Sequence, residues 1–208
     1  MFNLGYYPRL ERLAKSSPDL RCTLGRVFRF YQDQKRLSGR PVIQHCLETA
    51  ELASQYTTES CYLMVAIYHD LREDLGLPFR NLKIISGCYG EKVAGMVTIL
   101  SKRADLKNKN DRNREYMARI ANAIEKDPWV GIIKLSDRRS NLTDIQSLPA
   151  GKRREIAAQT LHFYVPIALK LGLVGLANSM KELSLPYALP YSVGAQELDP
   201  AITQQILV

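Results

Sequence analysis

The sequence predicts an all-α fold, a single domain of roughly eight to ten helices, and three observations predict it. Tyr62 to Ile67 is an apolar run without glycine or proline, which reads as a buried helix. Several other segments repeat apolar residues at helical spacing, as in Leu20, Leu24, Val27, Phe28 and Tyr31. Between these segments stand short Gly and Pro breaks, among them Gly39-Arg40-Pro41, Gly76 to Pro78 and Pro149-Ala150-Gly151.

Taken in order, residues 1–24 form an N-terminal segment with a short helix around Arg9 to Lys15, and Asp19 to Gln34 carries the next helix. His45 to Ala53 is amphipathic and ends before Thr57-Thr58. The helix around residues 60–75 stops at Gly76 to Pro78. Leu82 to Gly90 and Glu91 to Leu100 read as two short helices split at Gly87 to Gly90. Residues 101–114 are polar, with four Lys and Arg between 102 and 109, which suits a solvated loop or a basic lid. Tyr116 to Ile124 is helical by spacing, and Asp127-Pro128 suits a helix start, with Asp as N-cap and Pro at N1. Val130, Ile132, Ile133 and Leu135 fit strand or helix; helix is chosen because Asp137 and Asn141 then share a face. A long helix follows from about Lys152 to Leu171, with Gly172 as its C-terminal cap, and a tail begins at 191.

A chain of 208 residues can bury a sizeable core, and 46% hydrophobic with 24% charged residues describes a globular protein. No apolar run approaches the ~20 residues that span a bilayer, and the N-terminus lacks a signal-peptide layout. Cys22, Cys46, Cys61 and Cys88 show no close pairing, which points to reduced thiols and a cytoplasmic setting. The net charge of +8 attracts polyanions; no nucleic-acid motif is present, and a small polyanionic nucleotide is consistent with that charge.

The chemistry gathers around His69-Asp70-Leu71-Arg72-Glu73-Asp74, where an imidazole and three carboxylates crowd one helix end. Charges of one sign so close resist burial unless a cation neutralises them. His45 opens one amphipathic segment and Asp137 ends the apolar run Ile132 to Leu135. His45, His69, Asp70 and Asp137 thus offer two nitrogens and two oxygens, a set suited to one divalent Mn, Fe or Zn ion. Arg36 carries a guanidinium able to stack on a purine or hold phosphate. Lys134 lies three residues before Asp137 on the same helix. The third histidine, His162, reads as a surface or packing residue, and Tyr164 as core.

The order His45, His69-Asp70, Asp137 resembles the HD superfamily of metal-dependent phosphohydrolases. Arg36-Leu37-Ser38-Gly39-Arg40-Pro41, Glu73-Asp74, Lys134-Leu135-Ser136-Asp137-Arg138 with Asn141, and Gln159 to Gly172 are similar to the hydrolase domain of the RelA/SpoT alarmone enzymes. That resemblance implies an HD-type bundle over 25–190 and one manganese ion on His45, His69, Asp70 and Asp137. It implies catalytic roles for Glu73 and Asp74, and substrate contacts from Arg36, Ser38 and Asn141, with Lys134 toward phosphate. The implied reaction hydrolyses the 3′-pyrophosphate of ppGpp or pppGpp, giving pyrophosphate and GDP or GTP. With no room for the family's synthetase domain, the expectation is a stand-alone small alarmone hydrolase paired with an alarmone-making partner. Leu37, Val42 and Asp144 depart from the family pattern near the base pocket, which keeps ppApp among the expected substrates. Two other readings stand beside this one. One is an HD nucleotidase or an NADPH phosphatase, and the Arg36/Ser38 and Asp137/Asn141 pairings oppose the generic nucleotidase. A non-catalytic nucleotide-binding regulator is opposed by the presence of every ligand and both acids.

Overall fold

The computed structural model describes residues 4–71, 80–103 and 105–188. Among them the regular elements are helical, apart from one isolated bridge between Lys35 and Pro41. The chain divides into two compact units, residues 1–105 and 106–208.

In the first unit, α1 (Pro8–Ser16), α2 (Pro18–Phe30), α3 (Val42–Ala53) and α4 (Ser60–Tyr68) precede α5 (Arg80–Leu100). Local chemistry sets their starts. Pro8 and Pro18 stand in the first turns of α1 and α2, where a missing N–H costs no hydrogen bond. Ser17 accepts from the Leu20 N–H at 3.2 Å, and Ser60 donates to the same Ser17 hydroxyl at 2.8 Å. Helix α1 borrows its cap from α3: the Glu51 carboxylate accepts from Arg9 N at 3.1 Å and Leu10 N at 2.8 Å. Helix α4 is the axis of this unit, packing against α2, α3 and α5. Every residue from Tyr62 to Tyr68 is buried, so the Gly-free apolar run is the central helix it was expected to be. Leu63, Val65 and Ile67 are fully covered, which stabilises the fold by about 1.5–3 kcal/mol per side chain. The helix ends sooner than the sequence suggested, at Tyr68, and His69 and Asp70 occupy the turn beyond it. The expected split in the next segment is present inside α5, where Gly90 adopts φ 84° and kinks the rod.

In the second unit, α6 (Lys109–Lys126), α7 (Pro128–Thr143), α8 (Ala150–Gln159), α9 (Val165–Lys170) and α10 (Val174–Ala188) follow in order. Helix α6 begins seven residues before Tyr116, because the Asn108 side chain accepts from Asn110 N and Asp111 N and starts it within the polar stretch. Asp127 caps α7 by accepting from Trp129 N at 3.0 Å, so the strand-or-helix ambiguity resolves as helix. Helix α7 is the hub of this unit, packing against α6, α9 and α10. Between α8 and α9, Thr160–Tyr164 forms one wide π-turn, with Val165 N bonded to Thr160 O. Pro166 explains the widening: it has no N–H to give, and its ring presses on the carbonyl four residues back. Gly172 closes the rod at φ +72°, as the sequence indicated. Helix α10 was not anticipated.

Two glycines of this unit differ in what a methyl group would meet. At Gly131 a Cβ would lie 2.9 Å from Leu171 Cδ1 and 3.1 Å from Ile124 Cγ1, whereas Gly151 has nothing within 4 Å. Gly131→Ala should therefore cost about 1–2 kcal/mol in urea unfolding. Gly151→Ala in the first turn of α8 should be neutral or stabilise by up to about 1 kcal/mol.

Candidate metal centre

Three of the four candidate ligands meet inside the first unit. His45 points from the first turn of α3 and is fully buried; His69, 2% exposed, follows α4, and Asp70 is half-buried beside it. His45 Nε2 lies 3.3 Å from His69 Nε2, and the Asp70 Oδ2 oxygen lies 3.4 Å from the first and 3.2 Å from the second. His69 Nδ1 is 2.7 Å from the Ala66 carbonyl oxygen. A carbonyl only accepts, so Nδ1 carries the proton and Nε2 of the neutral ring presents its lone pair inward. Two imidazole nitrogens and a carboxylate oxygen thus form a near-equilateral triangle.

That triangle fits a divalent ion. Donors about 2.1 Å from a common centre, at cis or tetrahedral angles, sit about 3.0–3.4 Å apart, which matches all three edges. The centre also lies at the C-terminal end of α4, where the helix dipole favours positive charge. The chain therefore holds a His/Asp cluster suited to a metal ion.

The second unit builds an equally ordered carboxylate on α7. Asp137 is buried, and both of its oxygens are held from its own helix. Lys134 Nζ donates to Oδ2 at 2.6 Å and Asn141 Nδ2 donates to Oδ1 at 2.6 Å. The face shared by Asp137 and Asn141 is thus present, and both residues assigned to substrate sit on the carboxylate. Lys134 Nζ also lies 5.2 Å above the Tyr116 ring, and Arg138 stacks 4.1 Å above Tyr164. Burial works against the Lys134 ammonium, but Asp137 and then the Tyr116 and Tyr164 phenols outweigh it and hold its pKa well above the usual lysine value. Burial pushes the Tyr116 hydroxyl up, with Lys134 opposing. Burial would raise Tyr164 too, yet Arg138 and Lys134 bring it below the ordinary phenol value. In the sequence Tyr116 is marked only as a helix residue and Arg138 only as the end of the Lys134–Arg138 motif, with no signal that they pack around Lys134 and Tyr164.

Arg36 is half-buried and Ser38 exposed, both in the segment between α2 and α3. Glu73 and Asp74 lie outside the described residues. His162 is exposed and Tyr164 buried, as expected. No helix among the described residues is long and apolar enough to cross a membrane. Cys22, Cys46 and Cys61 are free thiols.

A helical chain with a buried His, a His-Asp pair and a separate, tightly held Asp defines a helical scaffold with a candidate metal centre. The HD domain family matches residues 25–174, and the chain belongs to that family. It is 29% identical over 185 residues, 87% of its length, to a guanosine-3′,5′-bis(diphosphate) 3′-pyrophosphohydrolase of Aquifex aeolicus (strain VF5). It is 32% identical over 162 residues, 77% of its length, to the bifunctional (p)ppGpp synthase/hydrolase SpoT of Escherichia coli (strain K12). The chain spans about a quarter of these relatives, 26% and 23% of their lengths. Among solved structures it resembles a metazoan ortholog of SpoT, described as hydrolysing ppGpp and acting in starvation responses. That likeness has a TM-score of 0.60 at 22% identity, covers 82% of this chain and 94% of the other, and establishes the fold.

Metal loading supplies the first test. Mn²⁺ at about a hundred times its Kd should add about 2.7 kcal/mol to the unfolding free energy. The increment should vanish in His69→Ala and in His45→Ala, as read by denaturant unfolding with and without the ion.

Proposed function

We propose that this chain hydrolyses the 3′-pyrophosphate of (p)ppGpp, with one manganese ion held by His45, His69, Asp70 and Asp137. The observation that carries the reading is the triangle of His45 Nε2, His69 Nε2 and Asp70 Oδ2, with edges of 3.2–3.4 Å. Membership of the HD domain family and the likeness to two bacterial alarmone hydrolases supply the substrate class. The net charge of +8 suits a polyphosphate nucleotide.

A bound divalent ion supplies Lewis acidity at a phosphate oxygen and eases loss of a proton from water. The chain's own residues do the rest. Asp137 is the fourth ligand, and Lys134 and Asn141 hold its carboxylate in one orientation. Arg36 and Ser38 bind base and ribose, converting an encounter into an aligned approach. Glu73 and Asp74 receive the proton as the water oxygen bonds to the phosphorus carried on the 3′ oxygen. The P–O3′ bond breaks, the 3′ oxygen takes up a proton, and pyrophosphate leaves. A cytoplasmic location and functional pairing with an alarmone synthetase complete the proposal.

Purified protein with Mn²⁺ should release pyrophosphate, and no orthophosphate, from ppGpp. Parallel incubation with ppApp and NADPH decides the base preference and the phosphatase alternative. Asp70→Ala should abolish both turnover and Mn²⁺ binding, whereas Glu73→Ala should abolish turnover and keep the ion. Full activity in either variant would refute the assignment.

A further inference from the structure

The segment joining α2 to α3 is a closed hairpin rather than a helix end. Val42 N donates to Gln34 O at 3.0 Å, Arg36 N to Arg40 O at 2.8 Å, and Gly39 N to Arg36 O at 2.9 Å. Lys35 and Pro41 pair across its base, and Gly39 takes φ +80° to close the tip. Arg36, Leu37 and Ser38 sit at this tip, with Leu37 86% exposed. The returning side is tied to the ligand helix. Arg40 Nη2 donates to Glu48 Oε2 at 2.6 Å, and the two side chains are only 19% and 20% exposed. Glu48 lies three residues after His45, one turn along α3. The N-terminal segment reaches the same place: Tyr7 donates to the Gln44 carbonyl at 3.3 Å and is hydrogen-bonded to Arg40.

We propose that Arg40 and Glu48, buttressed by Tyr7, are positioning residues that set the hairpin bearing Arg36 and Ser38 against the helix bearing His45. This rests on the reading above that Arg36 and Ser38 contact the nucleotide. A hairpin closed on itself keeps its internal shape, and its backbone bond to α3 is made at the base, through Val42 N, which leaves the tip free to tilt. The Arg40–Glu48 pair restrains that tilt, because a partly buried, charge-assisted bond orders both partners. When the hairpin samples other angles, only the competent fraction binds nucleotide, so apparent affinity falls by that fraction. The three donors His45, His69 and Asp70 stay on α3 and behind α4, and their geometry does not depend on the hairpin. The signature is a binding defect without a chemical one.

The test compares wild type with Glu48→Gln in the full chain loaded with Mn²⁺. The expected result is a KM for ppGpp raised about tenfold, with kcat within about twofold. Mn²⁺ affinity by calorimetry should be unchanged. Amide exchange at Arg36 and Gly39 should quicken, while Val65 and Ile67 in α4 keep their protection. Reversing the pair, with Arg40→Glu and Glu48→Arg together, should recover most of the loss. Unchanged KM with unchanged exchange at Arg36 and Gly39 would overturn the proposal. So would loss of Mn²⁺ binding, or equal quickening of exchange across α4, since either assigns Glu48 to the metal or to general stability. If wild type leaves ppGpp intact, the functional reading fails by itself, and the exchange comparison still decides whether the pair holds the hairpin.

Discussion

Two imidazole nitrogens rest 3.3 Å apart on buried rings, and a divalent cation is what would let both present lone pairs to one point. Both His45 Nε2 and His69 Nε2 lie in that position, and Asp70 brings a carboxylate oxygen to the same point. Lone pairs aimed at one another repel, and burial removes the water that would soften the repulsion. The surrounding structure enforces the arrangement. Helix α4, covered from Tyr62 to Tyr68, gives the turn after it no freedom to swing away, and the Ala66 carbonyl fixes the His69 ring. Two imidazoles and a carboxylate held to one point suit a receptacle for positive charge.

The α7 carboxylate follows another logic. Asp137 is neutralised from its own helix, by an ammonium one turn earlier and an amide one turn later. Each of these donors takes one oxygen, and a carboxylate oxygen accepts from more than one partner. Lys134 and Asn141, which the motif resemblance associated with substrate, thus first serve the carboxylate. The buried aromatic floor of Tyr116 and Tyr164, with Arg138 above the latter, keeps this charge cluster out of water. In such surroundings an electrostatic contact is stronger than the same contact at the surface.

Much of this was legible in the sequence, for physical reasons that can be named. Helix α4 was visible because the six consecutive apolar residues Tyr62 to Ile67 leave no polar face, and the α7 start because Asp127-Pro128 combines a side-chain cap with a fixed φ. The ligands were visible because His45, His69-Asp70 and Asp137 fall in a known order. Three of the features that stayed hidden have plain physical causes. The first turns of α6 are polar throughout, so periodicity is silent, and Asn108 does the work locally. The hairpin before α3 is held by backbone bonds marked in the sequence only by Gly39 at the tip, and Arg40 and Glu48 only meet once α3 exists. The end of α4 at Tyr68 was missed because the residues beyond it are no worse helix formers than those before.

The wide turn at Thr160–Tyr164 amounts to one residue more than a regular helix would use over the same rise. Each residue rotates a helix by about 100°, so removing that extra residue would swing everything upstream round the axis relative to Tyr164, Ile167 and Ala168. The polar stretch after Leu100 could change length without turning a helix face. This helix cannot: its length is counted, and an indel there would have to come in whole turns to be survived.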